Sequence, residues 1–248
     1  MRVAALHDVH GNLPALEAVL ADPGLAAADV VVVGGDFVPG PMPHETLLRL
    51  RELGSRARFI RGNGERETLE LLAGRREARE GGLNDAWIAE QLTESELAFL
   101  GTLPLAARVE VEGLGPVLFC HASPRADDDL FTEASPDDAV GALFTGIDEH
   151  VVVCGHTHMQ FDRTVDGVRI VNAGSVGMPY DDQPGAYWAL LGPDVSFRRT
   201  EYDVDRAAER IRAAAWPKAD EFAAENVLRR PPRAEVLGFF ETQARERA

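Results

Sequence analysis

The chain has 248 residues, 45% of them hydrophobic and 27% charged, with a formal net charge of −16. That length suffices to bury a full core in one large domain, and no apolar run approaches the roughly 20 residues of a membrane span. So acidic a chain disfavours a nucleic-acid duplex as partner, because duplex binding needs basic patches, but it admits an anionic substrate where bound cations set the local charge.

The chain opens as a strand, Arg2 to His7, with no h-region or cleavage site, so a cytoplasmic location is expected. Val3–Leu6 runs into Asp8, and Leu13–Leu20 follows at helical spacing after Asn12-Leu13-Pro14. Val30–Val33 is an uninterrupted β-branched run, as in a strand buried on both faces, and Gly34-Gly35 ends it. His44–Leu53 predicts a helix. Arg58–Ile60 predicts a short strand ending in Gly62-Asn63. This βαβαβ order argues for a parallel sheet with right-handed crossovers.

Residues 65–100 read as a mostly helical, cap-like insertion in a domain spanning 1–203. Within it, Arg75–Glu80 alternates in sign like a solvated face. Leu105–Val111 and Pro116–His121 predict a hairpin, Ser135–Leu143 a helix capped by Ser135 with Pro136 at its first position, and Val151–Cys154 another buried strand. Phe161–Asn172 reads as a hairpin around Asp166-Gly167, and Ala186–Leu191 and Val195–Tyr202 as two more strands. The late half is therefore expected to be strand-rich and antiparallel. Cys120 and Cys154 lack CxxC spacing and are expected to be reduced, buried thiols. Residues 204–248 predict a helical extension packed on the same domain, broken at Pro217 and Pro231-Pro232. Its apolar cluster of Val236, Leu237, Phe239 and Phe240 either docks on the core or meets another copy of the chain.

Five short motifs carry metal-ligating residue types, each where a strand should end: Asp8-Val9-His10, Gly35-Asp36, Gly62-Asn63, His121 and Gly155-His156-Thr157-His158. Loops after parallel strands are where α/β proteins build their sites. Period-two alternation puts Asp8 and His10 on one side, where they can share a metal. Asp36 sits where a carboxylate can bridge two ions, although an Asp there also suits a turn. Asn63 is either a left-handed turn residue or a neutral oxygen ligand. His121 alone would more often be a satisfied core histidine. His156 and His158, on a Gly-led turn, can reach two adjacent centres. These residues supply about the seven protein ligands that a pair of ions needs.

All five motifs, in this order over roughly residues 1–180, resemble those of the calcineurin-like metallophosphoesterases, in their small bacterial and archaeal phosphodiesterase branch. Gly40-Pro41 and Asn172-Ala173-Gly174-Ser175-Val176-Gly177 resemble further segments of that branch, with Ala173 at a proline position. The resemblance implies an α/β fold, a two-sheet sandwich flanked by helices with its site at the strand ends. It implies two divalent transition-metal ions (Mn, Fe, Zn, Co or Ni), with Asp8, His10 and His158 on one, Asn63, His121 and His156 on the other, and Asp36 bridging. Asp36, Asn63 and His121 would thereby serve catalysis directly. Two cations about 3.5–4 Å apart acidify a shared water and neutralise phosphate oxygens, so Ser123 and Ser175 need no covalent role.

The implied activity is hydrolysis of a small nucleotide or related phosphate diester. A phosphomonoesterase, including one acting on phosphoproteins or dinucleoside polyphosphates, is the first alternative, and a non-catalytic scaffold of the same fold the second. Many family members carry a histidine after the motif asparagine; here that position is Gly64. Its absence leaves His44 and Glu65 as the nearest acids by sequence. On this reading Gly64→His is expected to raise relative activity on monoesters.

Overall fold

The computed structural model describes residues 1–77, 86–229 and 231–247. Ten strands form two five-stranded sheets. In the first, β1 (Val3–Leu6), β2 (Val30–Val33) and β3 (Ala57–Phe59) run parallel, while β9 (Ala186–Leu191) and β10 (Val195–Thr200) extend it antiparallel beside β1. In the second, β4 (Ala106–Val111), β5 (Gly115–Cys120), β6 (Val151–Cys154), β8 (Val168–Asn172) and β7 (Phe161–Val165) lie in that order.

Strand alternation explains the layering. Val3, Ala5, Val30 and Val32 face Val117, Phe119, Val151, Val153 and Val171 across the space between the sheets. The alternate residues Ala4, Leu6, Val31 and Val33 pack outward on α1 (Leu13–Ala21), α2 (Pro23–Ala26) and α3 (Pro43–Arg51) through Leu16, Val19, Leu25, Leu47 and Leu50. On the far side Leu118, Cys120, Val152, Cys154 and Ile170 meet Val140 of α7 (Asp137–Leu143) with Phe131 and Phe144. The arrangement is thus helix, sheet, sheet, helix, as the resemblance implies.

Two local expectations change. The second sheet is not antiparallel throughout: β5 pairs parallel with β6, and β6 with β8. Only its edges, β4–β5 and β7–β8, are hairpins. Nor does Ser135 cap α7. Pro136 holds the cap position without a side-chain bond, and the Ser135 hydroxyl instead donates to Glu241 of α10 (Arg233–Arg247) while accepting from the Thr132 amide at 2.9 Å. A carboxylate is a stronger acceptor than a helix amide is a donor, so the distant partner captures the hydroxyl.

Between β3 and β4 lie α4 (Asn63–Leu72), α5 (Ala86–Glu90) and α6 (Glu94–Leu100); residues 78–80 of the charged stretch lie outside the described residues. After β10, α8 (Val204–Arg212) and α9 (Ala219–Phe222) lead into wider π-type turns over Ala223–Leu228. Ile211, Trp216 and Phe222 pack there with Ile88 of α5. On α10, Val236 is buried and the Phe240 ring lies 6.2 Å from that of Tyr180, so this part of the apolar cluster docks on the fold. Phe239 is 60% exposed and does not dock. No described helix is long and apolar enough to cross a membrane.

Cys120 and Cys154 are free and buried, and burial pushes both thiols well above their ordinary pKa. A thiol reagent at pH 8 should therefore find neither in the native protein and both after denaturation, because the thiolate is the reactive form. Native-state reaction at the rate of a free thiol would contradict this placement.

Candidate metal centre

The loops leaving β1, β2, β3, β5 and β6 all converge. Asp8 and His10 follow β1, Asp36 follows β2, Asn63 begins α4 just after β3, His121 follows β5, and His156 and His158 follow β6. Local geometry is unusual: Asp8, His10, Asp36, His156 and His158 all have positive φ, between 47° and 68°. Among described non-glycine residues only Asp166, in a hairpin, shares that conformation. Such residues cost of order 1–3 kcal/mol each and persist only where surrounding structure holds them.

The surrounding bonds do hold them. The Asp8 and His10 amides donate to Gly35 O and Asp36 O at 3.1 and 2.9 Å, zipping the two loops together. The segment from Asn172 to Gly177 works as a brace. Asn172 Nδ2 donates to Gly155 O at 2.6 Å, the Ser175 hydroxyl to Asp8 O at 2.7 Å, and the Gly177 amide to Asp8 O at 3.0 Å. Ser175 therefore has a structural task. Ser123 likewise is engaged, by Asp129.

Glu65 is the hub of the second loop. Its buried carboxylate accepts from the amides of Asp36 and Phe37 at 2.8 Å, Gly62 at 2.9 Å and Val38 at 3.2 Å. With both oxygens so committed it orients Asp36 and is no proton donor. His44, the other acid suggested by sequence, is tied through Nδ1 to Glu96 of α6 at 2.9 Å.

The ring nitrogens show what the centre is built to hold. His10 Nδ1 faces Pro39 O at 3.2 Å, His121 Nδ1 faces Gly34 O at 2.9 Å, and His158 Nδ1 faces Met178 O at 2.8 Å. A carbonyl only accepts, so each Nδ1 carries the hydrogen and each neutral ring turns an Nε2 lone pair inward, the arrangement seen around ligating histidines. His10 Nε2 and His158 Nε2 stand 3.1 Å apart. Asp8 Oδ1 lies 3.2 Å from His158 Nε2 and 3.8 Å from both His10 and His121 Nε2. Asp36 Oδ2 lies 3.6 Å from His121 Nε2 and 4.0 Å from His10 Nε2. Asp8 Oδ1, Asn63 Oδ1, His121 Nε2 and His156 Nε2 are buried with no hydrogen-bond partner. Crowded lone pairs repel unless positive charge lies among them, so this donor set fits metal ions.

Two triads, Asp8–His10–His158 and Asp36–His121–His156, each have their ligand atoms within 4.8 Å of one another, and a third group, His7–Asp8–His121, meets the same distance. Asp8 also reaches His121, so its oxygen approaches both triads, as Asp36 Oδ2 does.

Titration points the same way. Burial, helped by the charges of Glu65 and Asp8, lifts Asp36 to about 7 against the pull of His121. Burial would depress His121, but Asp36 and Asp8 outweigh it and raise that imidazole. Burial and the neighbouring His158 hold His10 down to about 3. Burial, then the charge of His121, keeps His156 far below its ordinary value, with His158 and Arg247 adding to the depression. Around Asp36 and His121 the buried carboxylates thus favour added positive charge.

With this geometry established, a sequence-family model, the calcineurin-like phosphoesterase superfamily domain, matches residues 1–192. The chain belongs to that superfamily. The uncharacterized protein MJ0912 of Methanocaldococcus jannaschii is 27% identical over 233 residues, which cover 84% of this chain and 91% of that protein. The crystal structure of a metallophosphoesterase from Sphaerobacter thermophilus is similar with a TM-score of 0.70 and 27% identity, covering 92% of this chain and all of that one. That of the hypothetical protein PH1004 from Pyrococcus horikoshii OT3 has a TM-score of 0.76 at 20% identity, over 90% and 97% of the two chains, and shows the shared fold.

Two features of this superfamily member are not visible in its motifs. His7 is fully buried beside Asp8, neither ring nitrogen has a hydrogen-bond partner among the described residues, and burial lowers it to about 4. Its ring fills the slot between Gly34 and Gly155: a Cβ on Gly34 would lie 2.1 Å from it, and one on Gly155 2.8 Å from its Nδ1. The Tyr180 ring stacks on His158 at 5.2 Å and 15°. His7 was legible only as a neighbour of Asp8, and Tyr180 gave no signal.

Gly64 is the clearest correction. A Cβ there would lie 2.3 Å from Pro39 Cγ and 2.8 Å from Asp36 Oδ1, while the Gly64 amide donates to that oxygen at 2.6 Å. Glycine is required by close approach, so a histidine does not fit where the resemblance suggested adding one.

Proposed function

We propose that this protein is a binuclear-metal-dependent phosphodiesterase acting on a small nucleotide or related phosphate ester. The observation that carries the reading is the convergence of three inward Nε2 lone pairs with oxygens of Asp8 and Asp36. In this reading residues 1–203 form the catalytic unit and 204–248 a helical extension. Asp8, His10 and His158 would hold one divalent transition-metal ion, Asn63, His121 and His156 the other, and Asp36 both. When bound, the pair supplies Lewis acidity toward phosphate oxygens and an acidified water. The chain's own contribution is orientation. Glu65 and the Gly64 amide fix Asp36, the carbonyls of residues 34, 39 and 178 fix three imidazoles, and the 172–177 brace fixes the loops of Asp8 and His156.

The preference for diesters rests on what is missing. No side chain stands at Gly64, His44 is held by Glu96, and Glu65 is spent on four amides. An alkoxide leaving from a monoester gains most from a positioned acid, worth typically about 10²–10⁴-fold. Nitrophenolate scarcely needs one.

Elemental analysis after saturation with Mn or Zn should give two ions per chain; at most one would refute the binuclear reading. Saturation should also raise the melting temperature. An ion at about 100 times its Kd contributes about 2.7 kcal/mol, or roughly 5–10 °C at this size. The loaded protein should hydrolyse a nitrophenyl diester faster than an alkyl monoester. The reverse order would favour the monoesterase alternative.

A further inference from the structure

His158 is held differently from the other candidate ligands. Its Nδ1 donates to Met178 O at 2.8 Å, its carbonyl accepts from the Tyr180 amide at 3.2 Å, and the Tyr180 ring stacks on its imidazole at 5.2 Å and 15°. All three contacts come from residues 178–180, just past the 172–177 brace. Among the described residues no other candidate ligand stacks on a ring from outside the cluster.

That segment is gripped in turn by α10. Asp181 pairs with Arg233, the first residue of the helix, and accepts from the Gln160 amide at 3.2 Å. Arg233 also donates to Gln160 O at 2.9 Å and pairs with Glu133 at 3.1 Å. The Arg233 and Asp181 side chains are only 21% and 13% exposed, so removing one would strand the other away from water, which costs far more than losing a surface pair. Later in the same helix the Phe240 ring lies 6.2 Å from the Tyr180 ring at 52°. An ion pair on Asp181 and a ring against Tyr180 thus fix the stacking ring from two points of one helix.

The ligands proposed for the other ion have no such link. Elsewhere α10 bonds to the loop after β5, where Glu241 accepts from Thr132 and Ser135 and Arg247 donates to Asp128 O at 3.0 Å. Those residues lie well past His121, whose own ring is fixed by Gly34 O. Among the described residues no bond from α10 reaches Asn63, His121 or His156.

The stack has a chemical consequence as well as a steric one. An imidazole that gives electron density to a cation becomes electron-poor, and an electron-rich ring face then attracts it more strongly. The Tyr180 ring therefore favours the loaded form of His158 over the empty one while it aims Nε2. Groups that orient a ligating histidine change metal affinity about 10–100-fold when they are removed.

We infer that Tyr180, fixed by Phe240 and Arg233, is a positioning residue for His158, so that the C-terminal helix governs the ion of the Asp8–His10–His158 set and not its neighbour. The inference rests on the metal-binding reading of the centre, and its test reads binding without turnover.

The test is a calorimetric titration of the metal-free full-length protein with Mn. Tyr180→Ala should weaken one of two binding steps about tenfold or more and leave the other within about threefold. Tyr180→Phe should match the wild type at both, because the stack needs the ring and not the hydroxyl. Phe240→Ala and Arg233→Ala, neither of which removes a bond to a ligand, should weaken the same step about threefold or more. Thr242→Ala, at an exposed position of α10, should change neither. Asn63→Ala tells the steps apart: alone it weakens the step that Tyr180→Ala spares, and the two together should weaken both. The spared step also shows that each variant is folded. Equal weakening of both steps by Tyr180→Ala, or of neither, would overturn the inference. If the wild type binds a single ion, its weakening by Tyr180→Ala, Phe240→Ala and Arg233→Ala would uphold the inference and remove the binuclear reading, and its indifference to them would overturn both. The expected split with no hydrolysis of a nitrophenyl diester would uphold the inference and remove the phosphodiesterase reading alone.

Discussion

Asp36→Asn should lower kcat about 10³-fold or more, whereas Asn63→Ala should cost about 10–100-fold. The Asp36 side chain has two separate tasks. Oδ1 accepts the Gly64 amide at 2.6 Å, and Oδ2 stands between His121 and His10, 3.6 and 4.0 Å from their Nε2 atoms. An asparagine keeping the first contact must turn its NH2 toward the nitrogens, replacing an anion by a donor where positive charge is to sit. Losing one ion forfeits several kcal/mol of charge stabilisation, and each 1.36 kcal/mol is tenfold in rate. Asn63 offers one neutral oxygen, which a water can replace. The check is kcat with metal content for both variants. Equal losses at unchanged metal content would remove the bridging role of Asp36.

Gly64→His should reduce activity at least 100-fold on monoesters and diesters alike, the opposite of the gain that the family pattern suggests. The added Cβ displaces Pro39 or Asp36. Pro39 O holds the His10 ring, so either displacement moves a candidate ligand. Overpacking of this kind costs about 1–3 kcal/mol, roughly 2–10 °C in melting temperature at this size. Gly64→Ala separates sterics from chemistry, since it carries the same Cβ and no imidazole, and it should be nearly as impaired. A stable Gly64→His protein with raised monoesterase activity would show that the loop yields.

What the sequence made legible follows from how local each cause is. The five motifs can be read because each candidate ligand lies within a few residues of the strand before it, three of them directly behind a glycine. The buried strands are legible for the same reason. The second sheet reads as antiparallel in sequence because its hairpins announce themselves through turns such as Asp166-Gly167. The β6–β8 pairing instead skips over β7 and has no local mark. Ser135 has the pattern of a helix cap, yet Glu241, 106 residues away, takes its hydroxyl. Gly64 shows an absence in sequence, and its reason lies in Pro39 and Asp36. Arg247 reaches the His121 loop from a helix that no motif connects to it.

The slot filled by His7 has a consequence for how the two halves of the centre are spaced. Gly34 ends a strand of one sheet and Gly155 a strand of the other, and the imidazole is wedged between them. Asp8, His10, Asp36 and Asn63 ride on the first sheet, and His121, His156 and His158 on the second. The thickness of one aromatic ring therefore acts as a shim between two rigid plates. On the proposed binuclear reading it would set the gap between the two halves of the ligand set before any ion arrives, so the protein would dictate the spacing and the metals conform to it.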